Sequence, residues 1–385
     1  MAAERIIPFG VIGCGLMGRE FASAAARWDH LLDLEWRPRI IAACDLNASA
    51  LEWFRRAVPG IRTSCDPEAL LGDPAIEALY IAVPHDQHED LYRAAIAAGK
   101  HFLGEKPFGI DRAANQRILT DLARRPDLLV RCSSEFPFFP AAQMIVRALR
   151  EQRFGRILEV RCGLLHSSDL DPDKPINWKR MVARNGEYGC MGDLGMHALH
   201  IPLRAGWFPH DLRALLTKIV AERPDRTGAK VPCETWDNAL LACRVGSTPA
   251  DEFPLLLEMK RISPGDINTW FIEVYGTRLS ARFSTRRPRT LETMPFARDQ
   301  PQAWHQLDVG SASAYRSITG GIFEFGFSDA ILQMWAAYGD ELVHGQRAMQ
   351  QPFHCVTPEE TRQSHLILDA ALESQRRAAT IMLAR

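Results

Sequence analysis

The chain has 385 residues, 46% of them hydrophobic, with 46 basic and 47 acidic side chains and a formal net charge of -1. That length provides for two domains of roughly 100 to 200 residues each, with cores that need neither a disulfide framework nor a membrane. The balanced charge supplies no global field for nucleic acid or an anionic membrane, so the expected partners are small molecules and other subunits.

Only Met1 to Arg5 precede the first apolar segment, without a hydrophobic signal region, and a cytoplasmic protein with no transmembrane span is expected. The first third alternates short apolar runs with helical patterns, the sign of βαβ units and a parallel sheet. Phe9-Gly10-Val11-Ile12 reads as the first strand, shortened by Pro8, which fits a strand start better than a central ladder. A helix follows from about Leu16 to Trp28, then strands Arg39 to Cys44 and Ile76 to Val83. Gln87 to Ala98 reads as a helix closed by Gly99. Beyond a strand from Leu128 to Ser133, a helix from Ala141 to Arg150 and a strand from Ile157 to His166, the pattern changes. Ala214 to Ala221, Asn238 to Val245, Leu255 to Arg261 and Thr269 to Tyr275 follow without crossover helices, so their pairing should be largely antiparallel. Helices near Ser328 to Val343 and Pro358 to Leu383 are expected to pack across the domains. The expected division is an α/β domain over 1–131 and an α+β domain over 132–385. Nine cysteines, with no C-x-x-C pair, sit largely in apolar runs such as Ala42-Ala43-Cys44 and read as buried thiols of a reducing compartment.

Gly13-Cys14-Gly15-Leu16-Met17-Gly18 fits G-x-G-x-x-G between a strand and a helix, where glycines permit a tight turn and a pyrophosphate approaches helix N–H groups. The acid expected to close the second strand and bind ribose hydroxyls is Asp45, 27 residues beyond Gly18 rather than about 20; the Asp29 to Arg39 stretch reads as an insertion. An acid there repels a 2′-phosphate, which favours NAD over NADP. Glu105-Lys106-Pro107 ends an apolar run, and Pro107 holds Lys106 in extended geometry, aimed rather than sampling. Asp193 and His197, at i and i+4, share one helix face and can pass a proton or simply stabilise the helix. With His200 they also admit a metal reading, as do His85 and His88, but no matched set recurs to complete a ligand sphere.

Taken in order, Gly13 to Gly18, Asp45, Val83-Pro84 followed by His88, Glu105-Lys106-Pro107, Trp178-Lys179 and Gly189-x-x-x-Asp193-x-Gly195-x-His197 resemble the motifs of the Gfo/Idh/MocA oxidoreductases over nearly the full chain. The resemblance implies a Rossmann domain followed by an α+β domain with a largely antiparallel, open-faced sheet, and a homo-dimer or homo-tetramer. It implies that Val83, Pro84, His88, Glu105, Lys106 and Trp178 join the glycine turn and Asp45 around NAD; no metal site is expected, for want of a ligand set of matched spacing. By position, Lys106, Asp193 and His197 inherit the catalytic and substrate-binding roles.

The reaction implied is hydride transfer between nicotinamide and a secondary hydroxyl or ketone of a sugar, inositol or related polyol. His197 is then the base, with an ordinary pKa of about 6.5, Asp193 orients it or relays its proton, and Lys106 stabilises charge on oxygen. The chain departs from the family at Glu187-Tyr188-Gly189, where three glycines are usual, placing Tyr188 among the expected substrate contacts. It also has Lys179 where many members have arginine, and Ser134-Glu135-Phe136 where many have Asn-x-Arg. An NAD-dependent glycosidase working by transient oxidation and elimination, a non-catalytic cofactor-binding regulator, and a metal-dependent hydrolase or isomerase are the rival readings.

Overall fold

The structure, a computed structural model, describes residues 5–310 and 312–384. Six strands, β1 Arg5–Ile12, β2 Trp36–Cys44, β3 Arg62–Ser64, β4 Ala78–Ile81, β5 His101–Gly104 and β6 Val130–Cys132, form a sheet in the order β3-β2-β1-β4-β5-β6. Every pairing in it is parallel. The connecting helices are α1 Leu16–Ala26, α2 Ala48–Ala57, α3 Glu68–Leu71, α4 His88–Ala97 and α5 Arg112–Leu122. The chain order reverses between β1 and β4, the place where such sheets open a crevice beyond their carboxyl ends.

β1 is longer than the sequence implied, because Pro8 is tolerated inside it. The Pro8 carbonyl accepts from Glu77 N at 3.0 Å, so its nitrogen faces the same side, where β4 pairing starts only at Phe9. No ladder donor is therefore lost. A bulge between Phe9 and Gly10 follows.

After α6 Pro140–Arg150 the remaining strands are β7 Ile157–His166, β8 Asp211–Thr217, β9 Glu222–Pro224, β10 Lys230–Pro232, β11 Asn238–Val245, β12 Phe253–Lys260, β13 Asn268–Gly276, β14 Leu279–Ser284, β15 Thr290–Pro295, β16 His305–Asp308 and β17 Ile381–Met382. The helices are α7 Val182–Asn185, α8 Cys190–Arg204, α9 Phe327–His344 and α10 Pro358–Arg377. Nine strands make one sheet, β16-β15-β14-β13-β7-β12-β11-β8-β17, antiparallel except for the β7–β12 pair. β11 alternates buried and exposed residues along its length, as a sheet with one covered and one open face requires. On the covered face lies α8, buried from Cys190 to Leu203, so its polar side chains Asp193, His197 and His200 must find partners inside the fold.

Two boundaries moved for identifiable reasons. The strand expected to run to Ala221 stops at Thr217, because Asp237 Oδ2 accepts from Ile219 N and Val220 N at 2.6 and 3.1 Å and turns the chain away. The last helix stops at Arg377, where Ala378 is left-handed, and the chain returns as β17 on the edge of β8. Ser374 binds both sides of that corner, donating to Ala379 O at 2.7 Å and accepting from Ala214 N at 2.9 Å.

The C-terminal helices lock the two sheets together. Trp335 of α9 stacks on Phe21 of α1 at 3.8 Å between ring centroids and meets Phe9 of β1 edge-on at 5.3 Å. Such aromatic pairs add about 0.5–1.5 kcal/mol each beyond the area they bury. α10 packs against α5 and α8, and its start is fixed by the reciprocal Thr357–Glu360 capping box. Among the described residues no helix is long and apolar enough to cross a membrane.

Candidate active site

A continuous cleft of about 1210 Å³ runs from the glycine turn, past the ends of β2, β4 and β5, to the start of α8. Gly13 has φ +97°, and a Cβ there would lie 2.2 Å from Ala82 O; a Cβ on Gly18 would lie 2.2 Å from Gly13 O. Only glycine permits this turn to pack on β4 and α1. Gly15 caps α1 and has nothing within 4 Å of an added Cβ, so the backbone is open where a pyrophosphate would approach the helix. Asp45 Oδ2 accepts from Cys14 N and Oδ1 from Asn47 N, both at 2.8 Å, fixing the carboxylate at the mouth of the turn.

Gly13, Gly15, Leu16, Met17, Asp45, Val83, Pro84, Glu105, Lys106, Trp178, Asp193 and His197 all line this cleft. Four expected contacts lie behind its wall. Cys14 is buried and acts through its backbone N–H, and Gly18 supports the turn. His88 is fully buried with Nδ1 at 2.7 Å from Pro107 O and Nε2 at 2.9 Å from Val83 O. It braces two cleft segments against each other, and both ring nitrogens are taken, which removes the His85/His88 metal reading. Tyr188, expected to touch substrate, instead points between α8 and α10, where its hydroxyl donates to Asp369 at 2.6 Å; the neighbouring Gly189 at φ +58°, pressed on Trp236, turns the chain so. No cluster of three or more metal-ligating side chains occurs among the described residues.

At the inner end, Lys106 Nζ donates to Asp193 Oδ1 at 3.0 Å and to Asp193 O at 2.7 Å. Lys179 Nζ reaches Oδ1 and Oδ2 at 2.9 and 3.0 Å, and Arg261 Nη1 closes on Oδ2. Arg261 also binds Asp169 through Nε at 2.7 Å, and Asp169 pairs with Arg180, which pairs with Asp237. This buried chain anchors the site in the nine-stranded sheet, and each carboxylate in it is multiply bonded, as burial of charge demands. Asp193 also stands in the first turn of α8, the end of a helix that favours an anion.

Burial works to raise the Asp193 carboxyl, but Lys106, Lys179 and Arg261 together outweigh it and hold it well below the usual carboxylate range. Burial likewise works to lower Lys106, and Asp193 and Glu105 overcome it, so this amine stays charged. For Lys179 burial prevails, aided by repulsion from Arg261 and Lys106, and its amine falls to about 8. Glu135 is pushed up to about 8 by burial and then by Glu105.

The i, i+4 spacing does place Asp193 and His197 on α8, but not as a bonded pair. Asp193 is committed to cations, while His197 Nδ1 faces Ser134 Oγ at 3.4 Å and Glu135 Oε2 at 3.8 Å. Burial first, and Lys106 second, hold the imidazole well below its ordinary pKa, so it is neutral at physiological pH. Glu105 is oriented by Tyr80 at 2.7 Å and Ser133 at 2.6 Å, which fixes the loop carrying Lys106. Lys179 and Glu135 stand out in the sequence only as departures from the family pattern, with no role attached to either, and Arg261 does not stand out: it follows an ordinary strand and carries no local signal.

Residues 7–132 match the model of an oxidoreductase family with an NAD-binding Rossmann fold. A levoglucosan dehydrogenase of Pseudarthrobacter phenanthrenivorans is 25% identical over 327 residues, 80% of this chain and 81% of that protein. An uncharacterized oxidoreductase of Synechocystis sp. is 30% identical over 211 residues, 54% of this chain and 55% of that protein; the matched region spans about half of that relative. A solved levoglucosan dehydrogenase in complex with NADH, 23% identical, shares the fold with a TM-score of 0.86 over 99% of this chain and 100% of that one. The glycine turn and its parallel sheet thus match the NAD-binding Rossmann fold of that oxidoreductase family over residues 7–132, and the two domains together share the fold of the levoglucosan dehydrogenase structure.

Proposed function

We propose that the protein is an NAD-dependent dehydrogenase that oxidises a secondary hydroxyl, or reduces the corresponding ketone, of a sugar, inositol or related polyol. The observation that carries this is the joining of two sites in one cleft: the glycine turn with Asp45 at one end, and Lys106 with Asp193 at the other. Relatives named levoglucosan dehydrogenase and inositol 2-dehydrogenase act on this class of compound.

Gly13, Gly15 and the start of α1 would hold the pyrophosphate of NAD, and Asp45 would accept from the adenosine ribose hydroxyls, its charge disfavouring a 2′-phosphate. When bound, the nicotinamide supplies the hydride acceptor. The chain's own part is to hold the hydroxyl oxygen against the Lys106 ammonium, which stabilises the alkoxide as it forms, and to keep Lys106 placed through Asp193. The proton acceptor belongs to the set around Asp193 and His197. Trp178 and Phe136 line the cleft and offer apolar faces to a ring.

Leu215 and Leu240 are exposed and directly paired on the open face of the nine-stranded sheet, which supports a homo-dimer or homo-tetramer formed through that face. Nine cysteines carried as free thiols, eight of them buried, support a reducing, cytoplasmic location. The test of function is a spectrophotometric screen of sugars and polyols with NAD and NADP. NADH formation with a cyclic polyol or sugar is expected; release of free sugar from a glycoside with no net NADH would replace this reading with the glycosidase one.

A further inference from the structure

The turn Trp178–Arg180 brings a second lysine to the same carboxylate. Lys179 Nζ and Lys106 Nζ share Asp193 Oδ1, at 2.9 and 3.0 Å, while Arg261 holds Oδ2. Three cations around one carboxylate carry excess positive charge, and one of them relieves it most readily by losing a proton. Arg261 does not deprotonate and has a second carboxylate in Asp169. Lys106 has a second acceptor in the Asp193 carbonyl, at 2.7 Å. Lys179 makes both of its bonds to the one shared carboxylate, Oδ1 and Oδ2 at 2.9 and 3.0 Å, with 29% of its side chain open against 15% for Lys106; both lysines line the cleft. The charged and titratable groups acting with it are Asp193, Arg261, Lys106, His85 and His166. Burial first lowers both of those histidines, so they are neutral and do not hold a proton in its place.

We propose that Lys179, not His197, accepts the proton of the substrate hydroxyl, while Lys106 remains the ammonium that stabilises the oxyanion. This rests on the dehydrogenase reading above. The carbinol C–H bond breaks with its electron pair leaving for the oxidised nicotinamide. The O–H bond electrons become the second C–O bond, and the proton bonds to the neutral Nζ of Lys179, which later releases it to water at the cleft mouth. The split between the two amines, Lys179 lowered to about 8 and Lys106 raised, is the separation of acid and base roles that such sites use. An arginine at this position would hold charge but never accept a proton.

Two measurements test it. Competitive amine labelling of the free protein across pH, read by mass spectrometry, should give a half-point for Lys179 near 8 and one for Lys106 well above it; a Lys179 half-point as high as that of Lys106 overturns the proposal. In kinetics on a polyol that the wild type oxidises, kcat/KM should fall about tenfold per pH unit below about 8. Lys179→Arg and Lys179→Met should each lower kcat by about 10²–10⁴-fold, with NADH binding by fluorescence within a few-fold of wild type. The residual activity should lose the acid limb, whereas His197→Asn should keep it. Full activity in Lys179→Arg, or loss of the limb only in His197→Asn, overturns the assignment to Lys179 alone. Absence of wild-type turnover on every sugar and polyol tried would instead sink the dehydrogenase reading and this proposal with it.

Discussion

Lys106 Nζ donates to both the carboxylate and the main-chain carbonyl of Asp193, at 3.0 and 2.7 Å. The pair ties the end of β5 in the parallel sheet to the first turn of α8 on the antiparallel one, across the cleft where substrate would lie. Its two contacts fix the amine's direction, so that under the proposed function the lysine would meet the reacting oxygen already ordered.

Lys106→Ala should therefore remove activity without removing the cofactor. A loss in kcat of about 10²–10³ is expected, the scale seen when one oxyanion-stabilising donor is deleted, with NADH affinity largely retained by fluorescence titration. Turnover near the wild-type rate would show that this amine does not face the reacting oxygen.

Asp45→Ala should weaken NADH binding by about 10–100-fold, as expected for losing charge-assisted hydrogen bonds worth about 1.5–3 kcal/mol. Discrimination against NADPH should shrink at the same time, because the like-charge repulsion is gone. A cofactor preference that does not move in the NADH/NADPH titration would mean that Asp45 serves only to hold Cys14 N.

Glu360 offers a test of stability against pH. Burial works to raise its carboxyl, but Arg204, donating at 2.6 and 2.9 Å, outweighs it and brings it down to about 2. A depressed pKa contributes stability that is fully present above the unfolded value of about 4.3 and is lost as pH falls through the folded one. Glu360→Gln should thus be less stable by about 3 kcal/mol at pH 7, and the gap in urea unfolding should narrow between about pH 5 and pH 3. A gap constant across that range would mean that Arg204 and the Thr357 cap do not act through the charge.

Gly339→Ala tests the junction of α9 with the first sheet. A Cβ at Gly339 would fall 1.9 Å from the ring of Trp36, which is fully buried. Overpacking of this kind costs about 1–3 kcal/mol or more, and a clear drop in the urea midpoint is expected. An unchanged midpoint would show that Trp36 has room to turn.

Much of this was legible before the fold was known, for reasons that can be named residue by residue. β11, Asn238–Val245, has the bounds its alternation implied, because every second residue faces one sheet surface and period 2 is a local property. Gly13 and Gly18 were legible because their backbone contacts exclude any Cβ, a constraint that sequence records directly as glycine. Tyr188 shows the opposite case. Its position beside the expected site suggested a substrate contact, yet the left-handed Gly189 and the acceptor Asp369 on a distant helix send it elsewhere.

The sequence by itself determined the parallel sheet, the order of its motifs, the antiparallel second sheet and the presence of Lys106, Asp193 and His197 on their elements. These follow from periodicity, turn chemistry and spacing along the chain, all of which act between near neighbours. Which groups share a charge was decided only by tertiary structure. Asp193 bonds to Lys106, Lys179 and Arg261 rather than to His197. Ion pairing in a buried site depends on through-space distance and desolvation, and neither is written in the spacing of residues along the chain.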